Sequence, residues 1–256
     1  MADNESWFEA GVLSVTFRQL SAKRIAELTA QAGLQAIEWG GDIHVPPGAS
    51  AVAAETARIT AESGLRVSGY ASYYRTGDEP EGEFDKVLDT ALTLGAPSVR
   101  VWAGRVGSAE ADDRLWHRTV EDARRIGEKA AAHGLRIDLE FHRNTLTDTI
   151  DSTIKLMEDI GSPHVRSCWQ PPVDMPPGQR EAELSRLLPW LSGLHVFHWV
   201  GVERLPLREG LDEWRRYLDM IRPLKERRSA LLEFVKDDDP EQFIRDAAAL
   251  KELLET

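Results

Sequence analysis

Six segments of this chain stop at a glycine and start an extended run immediately after it: Ala32-Gly33-Leu34, Ser63-Gly64-Leu65, Leu94-Gly95-Ala96, His133-Gly134-Leu135, Ile160-Gly161-Ser162 and Ser192-Gly193-Leu194. A helix that ends this way uses glycine's access to positive φ to turn left-handed, so the next strand begins at once. The segments before these glycines are amphipathic, with apolar residues three and four apart, as in Ile25/Leu28 and Leu115/Thr119/Ala123/Ile126. Helices are predicted over 22–32, 51–63, 83–94, 114–133, 146–160, 180–191, 211–221 and 240–254. Strands are predicted over 11–17, 36–40, 65–72, 98–103, 135–142, 165–170, 194–200 and 230–235. Alternating strand–helix units at about 30-residue spacing in one chain of this length point to the α/β class and a closed (β/α)₈ barrel. An open doubly wound sheet would more often carry a glycine-rich loop after its first strand. Here Phe17-Arg18-Gln19-Leu20-Ser21 follows it, and no GxGxxG or Walker pattern occurs. Without a linker or a shift in composition, a single domain over 1–256 is expected.

Charge narrows the function classes. Asp and Glu number 43 against 31 Lys and Arg, a formal net charge of −12. Such a surface repels nucleic acid backbones and anionic membranes. No run approaches 18 apolar residues, and the opening MADNESWFEA has neither a basic n-region nor an apolar h-region. Cys168, the only cysteine, has no partner for a disulfide or a thiolate cluster. The expectation is a cytoplasmic protein with no nucleic acid or membrane partner.

The late strands carry the chemistry. Asp138-Leu139-Glu140-Phe141-His142, His195-Val196-Phe197-His198-Trp199 and Leu231-Leu232-Glu233-Phe234-Val235 each put Glu or His at the end of an apolar run. Strand alternation turns Leu135, Ile137, Leu139 and Phe141 toward the helices, and Arg136, Asp138, Glu140 and His142 toward the axis. The same count places Cys168, Gln170, His198 and Glu233 inward, with Phe197 and Trp199 outward and His195 structural. Glu140, Gln170, His198 and Glu233 would then meet at one barrel end. Two carboxylates balance a divalent charge, and oxygen-rich ligation suits Mn²⁺, Mg²⁺ or Co²⁺. A purely internal hydrogen-bond network is the plainer alternative, but unpaired buried carboxylates are costly.

These segments resemble the sugar isomerase/epimerase superfamily of xylose-isomerase-like barrels, which includes tagatose epimerases, and the likeness covers essentially the whole chain. The resemblance implies one divalent metal, Mn²⁺ foremost with Mg²⁺, Co²⁺ or Zn²⁺ as alternatives, held at Glu140, Gln170, His198 and Glu233. It implies Glu140 and Glu233 as acid and base. It also makes Arg204, six residues after His198, a substrate contact. Gln170 departs from the family's usual aspartate, and Val173 stands where a histidine is usual. A neutral amide there predicts weaker metal binding and puts a standard ketose epimerase in doubt.

Glu38 and His44, in Glu38-Trp39-Gly40-Gly41-Asp42-Ile43-His44, are further candidates for substrate hydroxyls, with a glycine turn as the plain explanation. Tyr70 and Trp102 end strands three and four and are candidate pocket walls. His142 is a candidate substrate contact, while Arg100, Arg136, Asp138 and Arg166 suggest a charged layer lower in the barrel. The resemblance implies a metal-dependent isomerase or epimerase acting on a keto-sugar or related polyol by enediolate-type proton transfer, in a homo-oligomer. The same enolising site could serve a dehydratase or lyase, and a non-catalytic sugar-binding barrel is a further alternative. A nuclease is disfavoured, because Tyr70 and Trp102 stand where extra metal histidines would be needed.

Overall fold

Five of the six helix-ending glycines adopt the left-handed conformation: Gly33, Gly64, Gly95, Gly134 and Gly161 have φ between +60° and +78°. Each lets a strand start four or five residues after the last helical residue. The computed structural model describes residues 7–255; the single-domain expectation over 1–256 and the leader reading of the opening residues thus extend to 1–6 and Thr256, outside the described part. Eight parallel strands close into a barrel, β1 (Phe8–Leu13), β2 (Ala36–Gly40), β3 (Arg66–Thr76), β4 (Ser98–Ala103), β5 (Arg136–Glu140), β6 (Val165–Trp169), β7 (Leu191–Val196) and β10 (Arg228–Leu232). Their order is β1-β10-β7-β6-β5-β4-β3-β2, with β1 pairing β2 to close the ring. The helices are α1 (Ala22–Gln31), α2 (Ser50–Glu62), α3 (Glu83–Leu94), α4 (Asp113–Ala131), α5 (Ile150–Ile160), α6 (Pro177–Leu187), α7 (Leu211–Ile221) and α8 (Pro240–Glu255). The expected (β/α)₈ barrel is the fold. Among the described residues no helix is long and apolar enough to cross a membrane.

The apolar core lies between strands and helices, where Val99, Ile137, Leu139, Leu194 and Val196 are at most 1 % exposed. A smaller apolar cluster of Leu13, Val15 and Leu231, with Phe234 against it, is separate from this core. Gly193 is the exception among the six glycines. It sits inside β7 rather than at a helix end, and a Cβ there would stand 2.5 Å from Ser229 Oγ. Its smallness lets β7 approach β10.

Two strand boundaries differ from the prediction in ways that matter for the site. β1 ends at Leu13, and Ser14–Phe17 winds into a 3₁₀ turn whose hydroxyls are used: Ser14 Oγ accepts from the Gly40 amide at 2.8 Å. β7 ends at Val196 rather than running to 200. The buried Trp214 indole on α7 donates to the Phe197 carbonyl at 2.8 Å and draws the chain out of the barrel. The following residues fold back as an antiparallel hairpin, β8 (His198–Val200) with β9 (Glu203–Leu205).

Trp214→Phe keeps most of the packing but leaves the Phe197 carbonyl without its donor. A buried acceptor left this way costs about 1–3 kcal/mol, so the urea midpoint should fall with the slope unchanged; an unmoved midpoint would show that this bond does not hold the strand end.

Candidate active site

Leu194 and Val196 face the helices, so alternation turns His195 inward, and its register partner Leu231 is inward too. The inward face of β10 then reaches Glu233, just past the strand, whose amide donates to the Val196 carbonyl at 3.1 Å. Glu140 ends β5 beside Cys168. The three side chains meet: His195 Nδ1 lies 3.7 Å from Glu140 Oε1 and 3.5 Å from Glu233 Oε2. One ligand atom from each lies within 4.8 Å of the others, and all three residues are buried.

The sequence-based parity for β7 is therefore corrected. Alternation counted through Phe197 and Trp199 assumes a strand that instead ends at Val196. His198 belongs to β8, half-buried, with its ring packed on Gly210, where a Cβ would come within 2.5 Å of Nδ1. Burial lowers its pKa, against the nearby carboxylates of Glu213 and Glu209. His195 takes the place expected of His198. The sequence admits either parity, and only the end of β7 at Val196 selects the one that turns His195 inward.

A buried arginine supplies the charge balance. Arg100 on β4 is 4 % exposed; its Nε donates to Glu38 Oε1 at 2.7 Å and its Nη1 to Glu140 Oε2. The Trp102 indole also donates to Glu140 Oε2. Burial alone would raise the Glu140 pKa, but Arg100 above all, then His195 and His142, hold it below the ordinary carboxylate value. Burial opposes protonation of His195, and Glu233 foremost among its neighbours reverses this, leaving its pKa well above that of free imidazole. Arg100 was expected in a lower charged layer with Asp138; instead Arg136 Nε pairs with Asp138 at 3.0 Å and Arg166 with Glu226 at 2.6 Å, while Arg100 serves the site.

Above this floor opens a cavity of about 470 Å³ lined by Glu233, Gln170, His142 and several aromatic rings. Gln170 Nε2 donates to the Phe141 carbonyl at 2.9 Å. His142 stacks on Trp102 with centroids 4.7 Å apart. Other candidates are placed elsewhere. Both His44 ring nitrogens are engaged, by Ser14 Oγ and the Leu20 carbonyl, each at 3.1 Å. Tyr70 is fully buried and donates to the Val45 carbonyl at 2.8 Å, so it walls no pocket. Glu38 is occupied by Arg100. Arg204 on β9 pairs with Asp238 at 2.6 Å and covers the rings of Trp199 and Phe234. Phe234, missed as a site residue, holds φ at +51°. A left-handed conformation costs a side-chain-bearing residue about 1–2 kcal/mol.

The cluster can hold a divalent ion. Metal–ligand bonds of about 2.1 Å put ligand atoms about 3–4 Å apart, and the His195–carboxylate separations fall in that range. Nδ1 of His195 is buried without a hydrogen-bond partner among the described residues, although it faces two carboxylates. At these separations the atoms form ion pairs when His195 is protonated, and they are also suitably spaced to share an ion.

A family model described as "Xylose isomerase-like TIM barrel" matches residues 26–253. A 3-dehydroshikimate dehydratase of Bacillus anthracis is 31 % identical over 129 residues, spanning 44 % of this chain and 43 % of that protein; the match covers less than half of either. The crystal structure of a probable 3-DHS dehydratase from the same organism superposes with a TM-score of 0.78 at 18 % identity, over 95 % of this chain and 99 % of that one. A D-psicose 3-epimerase crystallised with D-fructose gives 0.71 at 16 %, over 96 % and 98 %. A xylose isomerase-like protein from Mycobacterium smegmatis in complex with magnesium gives 0.74 at 16 %, over 96 % of each chain.

Arg100→Met should destabilise the protein by about 3–5 kcal/mol, since it strands two buried carboxylates. Adding Glu38→Gln should recover part of the loss in chemical denaturation; strictly additive losses would mean the two residues do not interact.

Proposed function

The chain belongs to the xylose isomerase-like TIM barrel family, and on that premise we propose that it is a metal-dependent enzyme that moves a proton beside a carbonyl of a polyol substrate. One observation carries the reading: among the described residues, a buried imidazole nitrogen without a hydrogen-bond partner lies between the carboxylates of Glu140 and Glu233. Glu140, His195 and Glu233 would hold the ion, with Gln170 as a further ligand through its amide oxygen, since its nitrogen is engaged by Phe141. A divalent metal so held would act as a Lewis acid on the substrate carbonyl and stabilise the negative charge that develops on enolisation.

The side chains divide the remaining work. Glu233 faces both the cluster and the cavity, so its carboxylate is the group placed to take a carbon-bound proton from a substrate. Glu140 has Oε2 anchored by Arg100 and Trp102, which leaves Oε1 toward the cluster as the second proton-carrying and ligating atom. Return of the proton to the opposite face gives epimerisation, and return to the neighbouring carbon gives isomerisation. Expulsion of a β-hydroxyl from the same enolate gives dehydration, a second reading favoured by the partial match to the 3-dehydroshikimate dehydratase.

Metal analysis by mass spectrometry should find about one divalent ion per chain in the wild type and none in a Glu140→Ala/His195→Ala variant, with His198→Ala retaining it. Loss in His198→Ala with retention in the double variant would overturn the ligand assignment, and wild-type protein that stays metal-free with Mn²⁺ supplied would overturn the enzyme reading. Gln170→Asp, which adds a negative charge, should tighten Mn²⁺ in calorimetry; an unchanged dissociation constant would remove Gln170 from the ligand set.

A further inference from the structure

The wall of the cavity beside Glu233 is a run of aromatic rings tilted about 50° to one another. Phe197 and Trp199 lie 5.2 Å apart by centroid, and Trp199 and Phe234 6.1 Å apart. With Phe141 and the Pro171-Pro172 pair, these rings line the same cavity. The lining combines these apolar faces with the polar groups of His142, Arg143, Asp148, Gln170, Asp174 and Glu233.

Phe234 is directly bonded to Glu233 and kept at positive φ, a conformation that a phenyl-bearing residue rarely adopts. Its amide donates to Thr16 Oγ1 at 3.2 Å. Two guanidiniums flank the ring, Arg204 at 4.8 Å and Arg18 at 5.7 Å from its centroid. Both are already paired, Arg204 with Asp238 at 2.6 Å and Arg18 with Asp42 at 2.7 Å. Both brace the aromatic wall from beside Phe234. The cavity lining itself carries three carboxylates, Asp148, Asp174 and Glu233, against one arginine, Arg143, which disfavours a multiply charged anion. At about 470 Å³, the space is also in the range that takes a ligand with a second ring.

We propose that the substrate is an uncharged polyol carrying a planar apolar ring, which lies on the Phe197–Trp199–Phe234 shelf while the polyol part reaches Glu233. The polyol part of this assignment rests on the enolising reading above; recognition of the planar group does not.

Calorimetric titration with phenyl β-D-glucopyranoside and methyl β-D-glucopyranoside tests it on Mn²⁺-loaded and on EDTA-treated protein. The phenyl glycoside should bind about tenfold tighter or better, as expected for burying one ring. The preference should persist after EDTA, which separates this proposal from the metal reading. It should fall to about twofold or less in Phe234→Gly, whose glycine suits the positive φ, or in Trp199→Leu. Loss of the preference in either variant supports the shelf. Retention in both, equal binding of the two probes by wild type, no saturation by either at millimolar concentration, or tighter binding of glucose 6-phosphate than of the phenyl glycoside would overturn it.

Discussion

One buried guanidinium governs the electrostatics of this barrel's interior. Arg100 reaches Glu38 on one side and Glu140 on the other, at positions where neither carboxylate has adequate access to water. Without that charge the cost of burying two carboxylates would push one of them to protonate. With it, Glu140 stays ionised and presents its free oxygen toward His195 and Glu233. An arginine and an indole fix one Glu140 oxygen so that the other is aimed at His195 and Glu233.

That constraint propagates outward through Trp102. Its indole nitrogen is spent on Glu140, its ring stacks with His142, and the Arg75 guanidinium lies 4.0 Å from its centroid. The wall of the cavity and the floor of the site are therefore one hydrogen-bonded and stacked unit rather than two independent surfaces. On the other side, the strand end at Val196 and the hairpin after it bring Trp199 and Arg204 over Phe234, next to Glu233 in the chain. The polar floor and the aromatic shelf meet at that one glutamate.

The chain's likeness to solved structures below 20 % identity extends over nearly its whole length, which speaks to the fold and not to a shared substrate. A probable dehydratase and an epimerase both occur among these neighbours, so one fold carries differing chemistries.

The barrel was legible in the chain itself, because helix-ending glycines and alternating periodicities are local signals: each requires only a few neighbouring residues to agree. Glu140 and Glu233 were legible for the same reason, as carboxylates at the ends of apolar strands. His195 was not, since its orientation depends on where β7 stops, and that is decided by an indole on α7 reaching the Phe197 carbonyl from 17 residues away. Arg100 and Phe234 escaped likewise. The partners of Arg100 lie 62 and 40 residues distant, and the left-handed backbone of Phe234 is visible only once Thr16 and the two arginines surround it. Periodicity determines which face a residue takes within an element, but the length of the element and the company its side chains keep are set by contacts that only the closed barrel creates.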